Sequence, residues 1–143
     1  MRFHLLEPEV AGELGPGTVI DTTVHPPRVS VLEYVFTDWL GDDLLESFPC
    51  YLASERLADA IERSDVTGYR FDHVDVSVSP EADELLEDAT LPAFRWLIAT
   101  GTACVDDFGT TSKGEIVVSD RALELLRSFT IDNCDVGAYA PDA

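Results

Sequence analysis

The stretch YLASERLADAI (residues 51–61) decides the fold prediction, because it reads as a short apolar strand that runs into an amphipathic helix at Ser54. Serine is a favoured N-cap, since its oxygen accepts a hydrogen bond from a free N–H of the first turn. Arg56 is unexpected there, because a cation in the first turn faces the positive end of the helix dipole, at a cost of about 0.3–1 kcal/mol. The acid Glu55 offsets that cost. Arg56 is therefore interpreted either as half of an ion pair that forms the fold, or as a contact to an anion or a binding partner.

The stretch IVVSDRALELL (residues 116–126) repeats the same order of residues. An apolar strand ends at Ser119, an acid follows, Arg121 comes next, and apolar residues then recur at helical spacing. Each predicted helix is followed by a glycine and an aromatic residue, Gly68-Tyr69 in one case and Gly137-Ala-Tyr139 in the other. We interpret the two stretches as copies of one strand-Ser-acid-Arg-helix unit.

The rest of the chain adds strands and one further helix in an irregular alternation. The predicted strands are residues 2–6, 28–36, 49–53, 69–79, 93–100 and 115–119, with a last short strand in the tail, and the predicted helices are 54–64, 79–88 and 120–129. Residues 7–28 are expected to be an irregular connection, 28–36 a strand covered on both faces, and 69–79 one strand with a bulge near Asp72–His73. The pattern predicts a single α+β domain, 1–143, with a mixed or mainly antiparallel sheet and two to three amphipathic helices.

Net charge restricts the classes of partner. The 143 residues include 28 acids and 9 bases, which gives a formal charge of −19. Such a chain repels nucleic acids and anionic lipid, so direct binding to either is not expected. The charge suits a protein partner with a basic cleft, or a protein kept soluble at high salt. No apolar run approaches the roughly 20 residues of a membrane helix. No signal peptide is recognised, and the expected location is the cytoplasm.

The sequence contains no recognisable catalytic or metal-binding motif. Neither GxSxG nor HExxH occurs, and His4, His25 and His73 lie far apart. The three cysteines, Cys50, Cys104 and Cys134, form no CxxC and are interpreted as free thiols. The acids of DHVD (72–75) and Asp106–Asp107 offer oxygen ligands, but acid pairs arise by chance at this composition. We expect no catalytic residue, no metal and no cofactor.

Two acidic segments are the candidate partner-binding surfaces. The first surrounds a tryptophan in TDWLGDDLLE, and the second is the predicted helix that begins at Ser79. The candidate contacts are Asp38, Trp39, Asp42, Asp43 and Glu46 in the first segment and Glu81, Glu84 and Glu87 in the second. Two plainer interpretations stay open: Trp39 closes the core, and the helix acids form a solvated face.

The segments YLASERLADAIERSDVTGYRF and IVVSDRALELLRSF…VGAY resemble segments found in a broad class of small bacterial immunity proteins, which are paired with polymorphic or contact-dependent toxins. Related families carry paired CxxC motifs for zinc, and this chain has none, which favours a non-zinc relative of the double-CxxCG-type immunity proteins. The resemblance implies a cytoplasmic, non-catalytic protein that binds one toxin domain, such as a nuclease or a deaminase, and blocks its basic active-site cleft.

Two other functions remain consistent with the sequence. One is an enzyme of unknown reaction, for which a cleft would have to bring His73 near a carboxylate or Cys104. The other is a non-catalytic accessory protein whose acidity reflects a high-salt habitat. The identity of a toxin and the oligomeric state are left open.

Overall fold

The computed structural model describes residues 2–85 and 91–140, except for the side chains of residues 83–85. Strands predominate, as the sequence predicts. The elements are β1 (Phe3–Glu7), β2 (Gly12–Leu14), β3 (Val19–Asp21), β4 (Arg28–Val31), β5 (Glu33–Phe36), β6 (Leu44–Ser47), β7 (Cys50–Ser54), α1 (Glu55–Arg63), β8 (Tyr69–Asp72), β9 (Asp75–Val78), α2 (Pro80–Leu85), β10 (Phe94–Ala99), β11 (Gly101–Thr102), β12 (Phe108–Thr110), β13 (Ile116–Ser119), α3 (Asp120–Arg127) and β14 (Asp135–Tyr139).

The strands form mixed and antiparallel sheets, which confirms the predicted α+β class. One sheet has the order β11-β12-β13-β1-β14 and another the order β6-β7-β10-β8. A three-stranded sheet, β2-β5-β9, and a β3-β4 ribbon complete the described set. Only the β11–β12 and β5–β9 pairs among the described strands are parallel.

The predicted repeat is a structural duplication. In the first copy, a β6–β7 hairpin leads through α1 to β8, and β10 lies between β7 and β8, antiparallel to both. In the second copy, a β12–β13 hairpin leads through α3 to β14, and β1 takes the place of β10. The registers agree, because Phe94 lies opposite Ser54 and Phe3 lies opposite Ser119. The central strand of the second copy therefore comes from the start of the chain.

A buried aspartate begins each copy and fixes the start of its helix. Asp43 accepts a hydrogen bond from Ser54 Oγ at 2.5 Å and two from Arg56, at 2.8 and 2.7 Å. Ser54 Oγ in turn accepts the Leu57 N–H, as an N-cap does. We call Asp43, Ser54 and Arg56 the first triplet. The arginine is thus held by a carboxylate, which confirms the ion-pair interpretation of Arg56.

The second triplet, Asp107, Ser119 and Arg121, repeats this geometry. Ser119 Oγ donates to Asp107 Oδ1 at 2.5 Å and caps α3 by accepting the Ala122 N–H. Arg121 donates to both Asp107 oxygens, at 2.8 and 2.5 Å. The backbone N–H of each serine also bonds the carbonyl of its aspartate, at 2.8 Å in the first copy and 2.9 Å in the second. The two serines are fully buried and serve as caps.

The two copies hold each other through the same aspartates. The N–H of Thr130, just after α3, donates to Asp43 at 2.8 Å, and the N–H of Thr67, just after α1, donates to Asp107 at 2.9 Å. The Tyr51 hydroxyl accepts the N–H of Ile116, the residue at the matching position of the other copy. Such reciprocal contacts are those of an isologous interface, here within one chain.

Two apolar cores lie on opposite faces of the β6-β7-β10-β8 sheet. Tyr51 and Ala53 of β7 point into the core that contains α1 and α3, while Cys50 and Leu52 point into the core around Tyr34 and Phe36. Strand β7 is therefore covered on both faces. The sequence predicted this for residues 28–36 instead, and that prediction is wrong, because β4 is largely exposed and β5 buries only alternate residues.

Three further predictions need correction. Residues 69–79 form two strands of different sheets rather than one bulged strand, although the break falls at the predicted place. The connection 7–28 contains β2 and β3. Gly68 lies at a chain reversal with φ of +89°, but Gly137 lies inside β14, so the two glycines are not equivalent.

We predict that removal of either aspartate destabilises the whole protein. Asp43→Ala leaves the buried Ser54 hydroxyl and the part-buried Thr130 N–H without an acceptor, at about 1–3 kcal/mol for a buried donor. We expect a loss of about 2–5 kcal/mol in the free energy of unfolding, measured in urea, and a similar loss for Asp107→Ala. Glu124→Ala, an exposed acid of α3, is the matched control and should change stability by less than about 0.5 kcal/mol. Equal stability of the Asp43 variant and the control would contradict the role given to the triplets.

The same aspartates predict a loss of stability in acid. The hydrogen bonds from Arg121, Ser119 and Thr67 hold the pKa of Asp107 below its usual value despite burial. Burial opposes the shift at Asp43 too, but the bonds from Arg56, Ser54 and Thr130 lower its pKa. A carboxyl whose pKa is lower when folded stabilises above its unfolded pKa of about 3.9, and this contribution is lost as the pH falls through the folded value. The stability difference between wild type and Asp107→Asn should therefore shrink between pH 5 and pH 2; a constant difference would contradict the linkage.

Candidate functional site

The structure divides the predicted partner-binding residues between the interior and the surface. Asp42 and Asp43 are buried, at 0% and 4% exposure, and their oxygens are occupied. Asp42 accepts hydrogen bonds from the backbone and side chain of Asn133, at 2.8 and 3.0 Å. Neither carboxylate is therefore free to contact a partner. Their role is to join the loop before β6 to the segment after α3.

The other predicted contacts are scattered. Trp39 is half-buried against Phe94, its indole N–H donates to the Asp42 carbonyl at 3.0 Å, and the neighbouring Leu40 is 64% exposed. Asp38 and Glu81 are exposed, on separate elements. Glu84 belongs to α2, and its side chain lies outside the described part of the structure, as does the whole of Glu87. Partner binding by Asp38, Trp39, Glu46 and the helix acids stays a prediction.

Glu46 lies in a large open groove of about 970 Å³ beside the β6–β7 hairpin, which we call the acidic groove. Its carboxylates come from the end of β1 and the residues just after it, from β6, from the turn before β13 and from the start of β14; they are Glu7, Glu9, Glu46, Glu115 and Asp135. Its exposed apolar residues are Val10, Leu40 and Phe48, and its basic residues are Lys113 and His25. None of these carboxylates belongs to an ion pair within residues 2–85 and 91–140.

The buried carboxylate Glu9 fixes one rim of the groove. It accepts the backbone N–H groups of Leu40 at 2.8 Å and of Asp42 at 3.2 Å. Burial nevertheless raises the pKa of Glu9, because these bonds do not replace all of its hydration. Glu9 thus holds the loop that carries Leu40, and its charge is already used within the fold.

Glu46 is the least solvated acid of the groove that lacks such partners. Its side chain is partly buried, and no described residue donates a hydrogen bond to its carboxylate. Burial, together with the charges of Glu7 and Glu115, raises the pKa of Glu46 to about 7. The arrangement therefore keeps a carboxylate that ionises near neutrality beside apolar surface, where a positive group would be strongly favoured.

Two other places bear on catalysis, and neither has the required contacts. His73 approaches Asp75 at 2.8 Å, but both side chains are mostly exposed and line no described cavity. Cys104 shares a cavity of about 440 Å³ with His4, whose Nε2 contacts Asp120 at 2.7 Å. No hydrogen bond joins the described Cys104 thiol to an imidazole, so the nucleophile–base contact of thiol catalysis is absent there.

The expected absence of a metal site can be compared only with the described residues. Among them, no three His, Cys, Asp or Glu side chains are grouped as metal ligands. The pair Asp106–Asp107 has a structural use, because Asp107 belongs to the second triplet and Asp106 accepts the Thr102 N–H at 2.8 Å. Within the same part of the chain, no helix is long and apolar enough to cross a membrane.

The buried aspartates could have been recognised from the sequence if the comparison of the two copies had included the residues before each hairpin. An Asp-Asp pair precedes the capping serine in both copies. Asp43 lies 11 residues before Ser54, and Asp107 lies 12 residues before Ser119. Both pairs begin a hairpin that ends at the capping serine. The groove has no comparable signal, because its acids come from four separate segments.

Comparison of the chain with protein-family models, curated proteins and solved structures found no match.

We predict that replacing the groove acid at position 46 stabilises the protein at alkaline pH. A carboxyl whose pKa is higher when folded is favourable below its unfolded pKa of about 4.3, and stability is lost as the pH rises through the folded value. Glu46→Gln should therefore exceed the wild type by about 1–2 kcal/mol at pH 8, after allowance for solvent screening. The difference should be smaller at pH 5 and nearly absent at pH 4, below the unfolded value, in urea unfolding. Glu124→Gln should show no such pH dependence, and an equally pH-independent Glu46→Gln would contradict the assignment.

Proposed function

We propose that this protein is a non-catalytic binding protein of the immunity type, which neutralises a basic bacterial toxin domain by covering its active-site cleft. The observation that supports the proposal is the acidic groove, where unpaired carboxylates lie beside exposed apolar side chains. Apolar side chains together with charged groups are typical of protein–protein interfaces. The net charge of −19 would accelerate association with a basic domain at low salt.

The groove suits a protein partner better than a small anionic substrate. Its charged residues are five acids against Lys113 and His25, so a phosphate or carboxylate ligand would be repelled. Phe48 and Leu40 are 47% and 64% exposed, and large apolar side chains at a rim gain free energy when a partner covers them, at about 25 cal/mol per Å². Steering by the acids and burial of these two side chains would act on different rates, association and dissociation.

The direct test is protection against a toxin. The candidate partner is a basic C-terminal domain of a secreted protein encoded in the adjacent reading frame, expressed with and without this protein. We expect restored growth and a 1:1 complex in gel filtration. An adjacent frame without such a domain, or a toxic basic domain that the protein neither binds nor neutralises, would contradict the proposal.

A pair of charge-matched variants tests whether the groove is the binding surface. Glu7→Gln, Glu46→Gln and Glu115→Gln together remove three groove charges, whereas Glu13→Gln, Glu55→Gln and Glu124→Gln remove three exposed charges elsewhere. The comparison is made at pH 8, where Glu46 is mostly ionised, so that the two triple variants have nearly the same net charge. At low salt we expect the groove variant to slow association about tenfold or more and the control less than about threefold, measured by stopped-flow fluorescence. Equal effects would show that overall charge, and not the groove, steers the partner.

A further inference from the structure

The acidic groove has the chemistry of a site for one long cationic side chain. The carboxylate of Glu46 is partly buried and takes no hydrogen bond from a described residue. Beside it are apolar side chains that stay exposed, Phe48 at 47% and Val10 at 67%. A lysine or arginine side chain matches both parts of this surface, because its aliphatic stem can lie along the apolar side chains and its charged head can bind the carboxylate.

We propose that the groove binds a single lysine or arginine side chain of a protein partner, with its head on the Glu46 carboxylate and its stem along Phe48 and Val10. This inference rests on the proposed function and adds the group that is recognised. A cation in this position would relieve the repulsion between Glu46 and the neighbouring carboxylates of Glu7 and Glu115. It would also supply the donors that Glu46 lacks.

Proton release should accompany binding, because the free groove holds Glu46 partly protonated near neutrality. The ionisable groups that surround Glu46 lie on several elements. The acidic and basic side chains among them are Glu7, Glu9, Glu115, Asp135, Lys113 and His25. The Tyr34 and Tyr51 hydroxyls and the Cys134 thiol stay neutral, because burial raises the pKa of each. With a pKa of about 7 at Glu46, the ionised fraction rises about tenfold between pH 6 and pH 8.

Lys113, the single lysine of the sequence, could occupy Glu46 before a partner does. It lines the groove, yet it forms no ion pair among the described residues. A partner's side chain would therefore compete with Lys113 only weakly. Lys113→Gln removes this competitor and one positive charge from the groove, so it should increase cation binding.

Small cations test the proposal without the toxin. The probes are n-butylguanidinium and n-butylammonium, which mimic the two side chains, and n-butanol, which keeps the stem without the charge. Binding to the full chain is followed by the ¹³C shifts of the Glu side-chain carboxyls. We expect millimolar dissociation constants, as for fragments of this size. Affinity should be about tenfold higher at pH 8 than at pH 6, and the pKa of Glu46 should fall on saturation.

Two variants separate the outcomes. Glu46→Gln should abolish the pH dependence and weaken cation binding at least fivefold, while Glu124→Gln, at an exposed acid of α3 outside the groove, should leave it unchanged. Binding of n-butanol as tight as that of the cations, or cation shifts that spare Glu46, would overturn the inference. These results do not depend on toxin neutralisation. If the protein neutralises a basic domain but binds no butyl cation, this inference alone is refuted. If the protein binds the butyl cations but neutralises no basic domain, the proposed function alone is refuted.

Discussion

A buried aspartate shared between two copies of one unit is the interaction on which the rest of the structure depends. Asp43 and Asp107 each accept a serine hydroxyl, an arginine guanidinium and a backbone N–H from beyond the helix of the other copy. A buried carboxylate is costly unless its oxygens are occupied, and the loss of one partner leaves the others unsatisfied. Each aspartate therefore fixes three things together: the hairpin, the start of a helix, and the position of the opposite copy.

The acidic groove is a consequence of this arrangement, because its walls come from segments that the aspartates hold. The loop before β6 is tied to the segment after α3 by Asp43 with Thr130 and by Asp42 with Asn133. Glu9 ties the loop that carries Leu40 to the end of β1. Buried acids thus position the exposed ones, and Leu40 lies on a surface although its neighbour Trp39 packs inward.

The sequence predicted the parts of the fold that depend on local patterns. The strand ending at Ser119, the helices after Ser54 and Ser119, and the equivalence of the two stretches follow from capping and periodicity, which act over a few residues. The aspartate partners of Arg56 and Arg121 were not predicted, although the Asp-Asp pair that precedes each hairpin marks them in the sequence. Asp42 and Asp43 were assigned to the surface because acids are abundant in this composition. The bonds from Thr130 to Asp43 and from Thr67 to Asp107 have no signal in the sequence, because they depend on how the two copies assemble. Glu46 was among the predicted contacts, but its neighbours Glu7 and Glu115 were not, because β1 and the turn before β13 approach it only in the folded chain.

Salt adaptation does not account for the placement of Glu46. Surface acids that serve solubility are cheapest when they are well hydrated and far apart, as Glu13 and Glu124 are. Glu46 is instead partly dehydrated and close to two like charges, an arrangement that lowers stability at neutral pH. Exposed Phe48 adds a second unfavourable feature in the same groove. A binding partner with a cation on an apolar stem would neutralise the Glu46 carboxylate and cover the Phe48 side chain at the same time. That one ligand would relieve both unfavourable features is the physical argument for an interface.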